Sequence, residues 1–300
     1  MTAVRISAAT LETQLRSGRF DVIAQAYLHR ATRETGSAML HGRDALLASA
    51  LAEAAAFPDA TTTLGYCTDD LSTFVRQQGD HRWRGHRWLA REDDRIVHET
   101  LVEDGQVRDL AAGRDAETAG MAPLYPPLGE LRPGRGQFAA GEAAIVPPDW
   151  PAAARAIADV FHQIWNAKAI DLVETFWHPD AEWHGPAGVS GGRAGLMQWL
   201  TALFGAFPDA TLLFERAIAH DNAVAILWRL HAHHRGGQGF GPATGRRIRL
   251  VGSSVLRIEG GLIVGDETLM DMSAIAPQLT MPIIAWRATT SEGVPDGNDP

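Results

Sequence analysis

Part of this chain is written twice. Gly42-Arg43, Leu46 and Ala56-Phe57-Pro58-Asp59-Ala60-Thr61 return as Gly192-Arg193, Leu196 and Ala206-Phe207-Pro208-Asp209-Ala210-Thr211, each at an offset of 150 with no gap. Chance does not align a hexamer and its upstream Gly-Arg in one register. The period is far too long for a solenoid unit and matches a whole small domain. The chain therefore reads as two similar domains fused head to tail. Its 300 residues let each half bury its own core.

Each half runs in the same order. Helical stretches come first, Leu11 to Tyr27 and Ala152 to Trp177, the latter with Ile157, Val160, Phe161, Ile164 and Trp165 at helical spacing. A short strand over Ala181 to Pro186 follows in the second half. Gly-Arg then opens another helix that Phe-Pro-Asp ends. After this the period becomes two, with strands expected over Thr211 to Arg216, Ala223 to His233, Arg247 to Ile258 and Leu262 to Met270. Helices followed by a meander predict an α+β class: a curved antiparallel sheet wrapped over its own helices as a cone with a mouth. A Pro/Gly-rich stretch separates the halves. The expected division is a reduced domain at 1–118, a linker at 119–150, a complete domain at 151–285 and a flexible tail at 286–300. The first half has the shorter central hairpin and lacks the loop Gly236 to Gly245. That loop reads either as an overhang at the mouth or as a plain surface hairpin.

A net charge of -9 argues against nucleic acid as a partner, since that needs a basic face. The run Arg82-Trp83-Arg84-Gly85-His86-Arg87 reads as a solvated hairpin or, less simply, a contact for an anionic ligand. The single cysteine, Cys67, rules out an internal disulfide and reads as a structural thiol. No apolar leader and no apolar run approaching ~18 residues is visible. The expectation is a cytoplasmic protein with no membrane partner.

The second half resembles a known pattern. His178-Pro179-Asp180, Trp183-His184-Gly185-Pro186, Gly192-Arg193, Phe207-Pro208-Asp209, His234-Arg235-Gly236, Pro242-Ala243-Thr244-Gly245-Arg246 and Ile263-Val264-Gly265-Asp266 fall in the order seen in SnoaL-like polyketide cyclases, of the nuclear transport factor 2-like superfamily. The resemblance covers roughly Asp149 to Leu279. The first half looks like a reduced relative that keeps Gly42-Arg43, Phe57-Pro58-Asp59 and Ile96-Val97-His98-Glu99. The resemblance implies two cone domains paired through their sheets as an internal pseudo-dimer; further homodimerisation stays open. Because this superfamily hosts many reactions and pure binders, it does not fix the function.

The last strand carries the candidate chemistry. Alternation puts Val264, Asp266, Thr268 and Met270 on one face and Gly265, Glu267 and Leu269 on the other. By resemblance the Asp266 face looks into the cone, and Glu267 faces the partner sheet. Asp266 is the first choice as general acid/base, since burial would raise its pKa towards neutrality. The competing reading pairs it with a structural arginine. Glu99 and Asp104 of the first half match Asp266 and Asp271 at an offset of 167, so an acid here can also be structural. Asp271 reads as a helix cap. His234 is the second catalytic candidate, as a polar group at the pocket rim.

Trp183, His184, Trp228, His231, Thr268 and Met270 are the candidate substrate-binding residues. Trp183 and Trp228 read as pocket wall or core. His231 and His233 share a strand face that could chelate a metal, but no third ligand completes a site, so no metal and no cofactor is expected. His81, Trp83, His86 and Trp88 are expected to close the smaller first cone. Two functions compete. One is a cofactor-free enzyme using acid/base chemistry on a small apolar or aromatic carbonyl compound, as a cyclase, isomerase or dehydratase. The other is a non-catalytic ligand-binding or assembly protein of the same fold.

Overall fold

The computed structural model describes residues 5–113, 146, 149–237 and 240–279. Nearly all of the expected linker and the whole tail lie outside the described residues, as do the boundaries placed at 118 and 285.

The first unit comprises α1 (Ala8–Arg16), α2 (Asp21–Ala26), β1 (Tyr27–Thr35), β2 (Met39–His41), α3 (Arg43–Ala56), β3 (Thr61–Cys67), β4 (Leu71–Gln78), β5 (His81–Glu92), β6 (Arg95–Glu103) and α4 (Gly105–Ala111). The second repeats the order. It has α5 (Ala152–Phe161), which continues into a π-helical turn at His162–Asn166, then α6 (Leu172–Phe176), β7 (Trp177–His184) and β8 (Ser190–Gly191). Next come α7 (Arg193–Ala206), β9 (Thr211–His220), β10 (Ala223–His233), β11 (Arg247–Glu259), β12 (Leu262–Met270) and α8 (Ile275–Leu279).

Each unit is α+β with one six-stranded sheet, ordered β2-β1-β6-β5-β4-β3 and β8-β7-β12-β11-β10-β9. One feature departs from the expected wholly antiparallel sheet. β1 runs parallel to β6, and β7 parallel to β12. The cause is the helix inside the repeated stretch. α3 and α7 carry the chain from one edge of the sheet to the other, and such a crossover lets the first strand lie parallel to the last.

The repeated residues do the same work in both units. Arg43 Nη1 donates to the carbonyl of Ala24 at 2.9 Å, and Arg193 Nη1 to that of Glu174 at 3.2 Å. Each arginine thus satisfies a free carbonyl near the end of the preceding helix. Phe57 and Phe207 are buried at the C-termini of α3 and α7, and the following proline prevents continuation. Asp209 accepts from the His233 backbone N–H at 2.8 Å and pairs with its ring at 2.6 Å, tying the α7–β9 turn to β10.

The two sheets face each other. Leu71, Trp88 and Val102 of the first meet Ala225, Leu227, Val251 and Leu269 of the second in one buried cluster. Polar links rim it. His86 bonds Ser253 Oγ through Nδ1 at 2.9 Å and Glu267 through Nε2 at 2.8 Å. Trp88 Nε1 donates to Ser253 Oγ at 2.8 Å, and Arg84 lies 3.0 Å from Glu267. Arg229 holds Glu34 bidentately at 2.5 and 2.6 Å. His86 and Trp88 therefore join the units rather than closing the first cone, because they occupy the outward phase of β5. Asp104 caps α4 through the Val107 N–H, and Asp271 caps the turn Met272–Ala274 through the Ser273 N–H at 3.0 Å. Both acids are buried where the units meet, and burial raises both carboxyls, Asp104 to about 6. Among the described residues no helix is long and apolar enough to cross a membrane.

Candidate active site

Asp266 sits on β12 with its carboxyl turned into the second unit's interior, 4 % exposed. Its neighbours on the inner face are aromatic and aliphatic: Trp177, Trp183, Trp228 and Met270 are all buried in one core cluster. Trp177 opens β7, where helical periodicity had suggested the end of a helix. The strand phase turns its indole inward, and Nε1 donates to Asp266 Oδ2 at 3.1 Å. Thr268 Oγ1 donates to Oδ1 at 2.7 Å. Behind Thr268 the bonding continues, with Ser254 Oγ 2.8 Å from Thr268 Oγ1 and Trp228 Nε1 donating to Ser254 Oγ at 3.0 Å. Trp228 has only a donor, so each hydroxyl proton is directed onward and the chain ends on the carboxylate.

No arginine or lysine pairs with Asp266 among the described residues, which removes the expected structural alternative. Burial pushes its carboxyl up to about 7, against the opposing bonds from Thr268 and Trp177, with a further push from Glu267. Thr268→Val keeps the shape and deletes one bond to the charged form. The Asp266 midpoint should then rise by roughly 1 unit, read by carboxyl carbon NMR titration; an unchanged or lower midpoint would contradict the assigned bond.

The other sequence candidates divide by strand phase. Trp183 is the β7 partner of Asp266 and is fully buried beside it. Trp228 and Met270 also face inward. His184 does not. It pairs with Glu267 on β12 and lies in the opposite phase to Trp183, where burial and Arg84 lower its pKa. His231 also faces away, because Trp228, Leu230 and Ala232 take the inward phase of β10. Arg247 Nη2 donates to its Nδ1 at 2.7 Å, and burial with nearby Arg247 holds it down at about 4. His233 is bound to Asp209, and no metal-holding cluster occurs among the described residues.

His234 requires the largest correction. It is fully buried beyond the end of β10, its Nδ1 3.1 Å from Thr244 Oγ1 and its ring 5.2 Å from Phe207. The register aligns Asp266 with Leu256 and Leu256 with Val224. His234 lies ten positions further along, a contour of roughly 30 Å. It closes the loop that carries Phe240, whose ring packs edge-on to Phe207 at 5.1 Å. In its described residues this loop seals one end of the core rather than overhanging a mouth. Asp266 and His234 are therefore not one site.

The first unit shows what the same framework does with charge. Tyr27, Arg33, Arg87 and Glu99 occupy the places of Trp177, Trp183, Ser254 and Asp266, at offsets of 150, 150, 167 and 167. Tyr27 Oη donates to Glu99, and Glu99 pairs with Arg87 and, at 3.0 Å, with Arg33. Glu12 pairs with Arg76 at 2.5 Å and Arg87 at 2.8 Å, Glu103 with Arg76 at 3.1 Å, and Glu53 with Arg16 at 2.9 Å. Burial pushes the Glu12 carboxyl up, but Arg76, Arg87 and Arg16 outweigh it and hold it at about 2. Arg16, Arg33, Arg76 and Arg87 thus face Glu12, Glu53, Glu99 and Glu103 inside the first unit, whereas Asp266 in the second interior has no paired cation among the described residues.

Sequence reasoning missed Trp177, Ser254 and Trp199. The indole N–H groups of Trp183 and Trp199, and of Trp83 in the first unit, are buried without an acceptor among the described residues. Trp199 belongs to α7, and its ring centroid lies 5.7 Å from that of Trp183. Trp165 bridges Trp199, Phe204 and Trp228 at 5.7 to 5.8 Å. It is placed there by the π-helical turn, a distortion frequent at functional sites.

Comparison with known proteins bears on the second unit. Among curated proteins, none matches this chain. Similar solved structures include a candidate polyketide cyclase from Acidithiobacillus ferrooxidans, 22% identical, covering 42% of this chain and 92% of its own, with a TM-score of 0.38. AclR, a candidate hydroxylase from Streptomyces galilaeus, is 22% identical over 43% of this chain and 82% of its own, at 0.40. IdmH, a candidate polyketide cyclase from Streptomyces antibioticus, is 21% identical over 44% and 100%, at 0.39. The family model of the SnoaL-like domain matches residues 158–265, ending one residue before Asp266. The matched segment includes Trp177, Trp183, Trp199, Trp228 and Ser254, the residues that line this interior with Asp266, and over it the chain is similar to a SnoaL-like domain.

Proposed function

We propose that the second unit is a cofactor-free acid/base enzyme, acting in the cytoplasm on a small apolar or aromatic carbonyl compound. One observation supports this above all. The Asp266 carboxyl is buried among aromatic rings with no counter-cation among the described residues, held through both oxygens, and pushed up to about 7. A carboxyl titrating there populates both forms at neutral pH, as a group must if it is to take a proton and return it. The ionised form removes a proton from the carbon next to the carbonyl. The C–H electron pair passes to the carbonyl oxygen as an enolate, and the protonated form delivers the proton again at carbon. Cyclisation, isomerisation and dehydration all share that first step. The aromatic wall suits a planar ligand.

Proton exchange tests this without knowledge of the natural substrate. The protein is incubated in D2O with a panel of aromatic ketones and enones, and loss of the α-hydrogen signal is followed by proton NMR. Exchange above the buffer rate, rising with a midpoint near 7, is expected. Glu99 supports the rival binding reading, since the acid at the equivalent strand position of the first unit is engaged in ion pairs with Arg33 and Arg87. Ligand binding with no exchange anywhere in the panel would favour that rival.

A further inference from the structure

Enolate formation leaves charge on oxygen, and a site that makes it needs hydrogen-bond donors near the acid. His234 does not supply one beside Asp266, as the register shows. We propose that the indole N–H groups of Trp183 and Trp199 bond an oxygen of the ligand, so that the second unit selects planar compounds bearing a carbonyl or phenol oxygen. The proposal rests on the reading that this interior is the ligand site, and it names the chemistry by which a ligand is chosen.

Three features of the two indoles carry it. First, they are unpaired where pairing is the rule. Trp177 and Trp228 face the same interior, and their N–H groups reach Asp266 and Ser254. Those of Trp183, fully buried, and Trp199, 7 % exposed, reach no acceptor among the described residues. A buried N–H without a partner has lost its water and gained nothing in exchange, a deficit that a ligand oxygen would make good.

Second, the two rings adjoin the acid. Trp183 is the cross-strand partner of Asp266, and Trp199 lies against Trp183. Third, the Trp183 ring is held in place. It lies so close over Gly185 that a Cβ there would come within 2.2 Å of it, and its other edge is 3.8 Å from the Cβ position of Gly195. A locked ring presents its N–H in a fixed direction, so the entropy cost of orienting a donor is already met. The equivalent position in the first unit is Arg33, which is paired with Glu99, so an ion pair stands there in place of an indole beside an acid without a counter-cation among the described residues.

The test compares 1-tetralone with tetralin, which has the same ring skeleton without the oxygen, by equilibrium dialysis on the full chain. Wild type should bind the ketone about 10-fold more tightly, the worth of one or two recovered bonds. Trp183→Phe and Trp199→Phe keep one aromatic ring and remove the donor together with the fused pyrrole ring, a loss of bulk that acts on both probes and cancels in their ratio. Each should cut the ketone preference several-fold, and the double variant should bring the ratio near one. Should a variant not fold, the indole resonances of 15N-labelled wild type decide: tetralone, not tetralin, should move two of them.

Equal affinity for the two probes, a ratio unchanged in the double variant, or indole signals indifferent to the ketone would overturn the proposal. The failures are separable. An oxygen preference without any proton exchange removes the catalytic reading and leaves this one. Exchange that survives with an unchanged ratio in the double variant removes this one and leaves the other.

Discussion

Asp266→Asn should lower turnover by about 10³-fold and, at the same time, make the protein more stable at pH 8. Both results come from one burial. The carboxyl titrates near 7 in the folded chain and near 3.8 when unfolded. Between those values the folded state holds a proton that the unfolded state has released, so stability falls as pH rises from about 4 to 7 and stays reduced above. At pH 8 the cost is a few kcal/mol, and at pH 4 it vanishes. Asparagine keeps an acceptor for Trp177 or Thr268 and carries no charge. Urea denaturation of both proteins from pH 4 to 8 reads the difference. The curves should converge in acid and part towards alkali, with the variant above. Parallel curves would mean that the carboxyl is ionised at ordinary cost, and the proton-shuttle reading would lose its basis.

The equivalent change in the first unit should do the opposite. Glu99→Leu is expected to destabilise the chain by about 3–5 kcal/mol at pH 7, because it leaves Arg33 buried without its only paired carboxylate among the described residues. Burial alone would raise the Glu99 carboxyl, but Arg33 and Arg87 hold it below its ordinary value. Its contribution is therefore present above the unfolded carboxylate range and lost as pH falls through the lowered folded one. The double variant Arg33→Leu with Glu99→Leu should recover part of the loss, since removing both partners is far cheaper than removing one. A Glu99→Leu loss below about 1 kcal/mol in urea denaturation would mean that the ion network is solvated rather than buried. Two acids at one place in two copies of a framework thus carry opposite stability signs. The difference lies in what stands opposite each: Arg33 and Arg87 in one, Trp183 and Ser254 in the other.

Much of the framework was legible because it is local. The Gly-Arg and Phe-Pro-Asp elements mark the ends of α3 and α7, where capping and proline act within a few residues. The period of two along β12 separated Asp266 from Glu267. The same rule applied to β10 points His231 outward with Arg229, since Trp228 and Leu230 take the inward phase. That signal was in the chain and was outweighed by the attraction of clustered histidines. Trp177 was hidden because helical periodicity ran across the α6–β7 boundary. The charged interior of the first unit was not legible at all. Alternating Arg and Glu on a strand look the same whether they meet water or each other, and only the fold brings Glu12 of α1 beneath Arg76 of β4 and Arg87 of β5.

His86 and Ser253 occupy equivalent places in the two halves, 167 residues apart, and they touch each other. In a homodimer, a residue at such a point meets its own twin, so any change there is made on both sides at once. Covalent fusion lifts that rule. One side can keep an imidazole and the other a hydroxyl, and one interior can specialise while its neighbour becomes a ballast of ion pairs. Tethering also frees the pairing from subunit concentration, so dilution has no separate half to release.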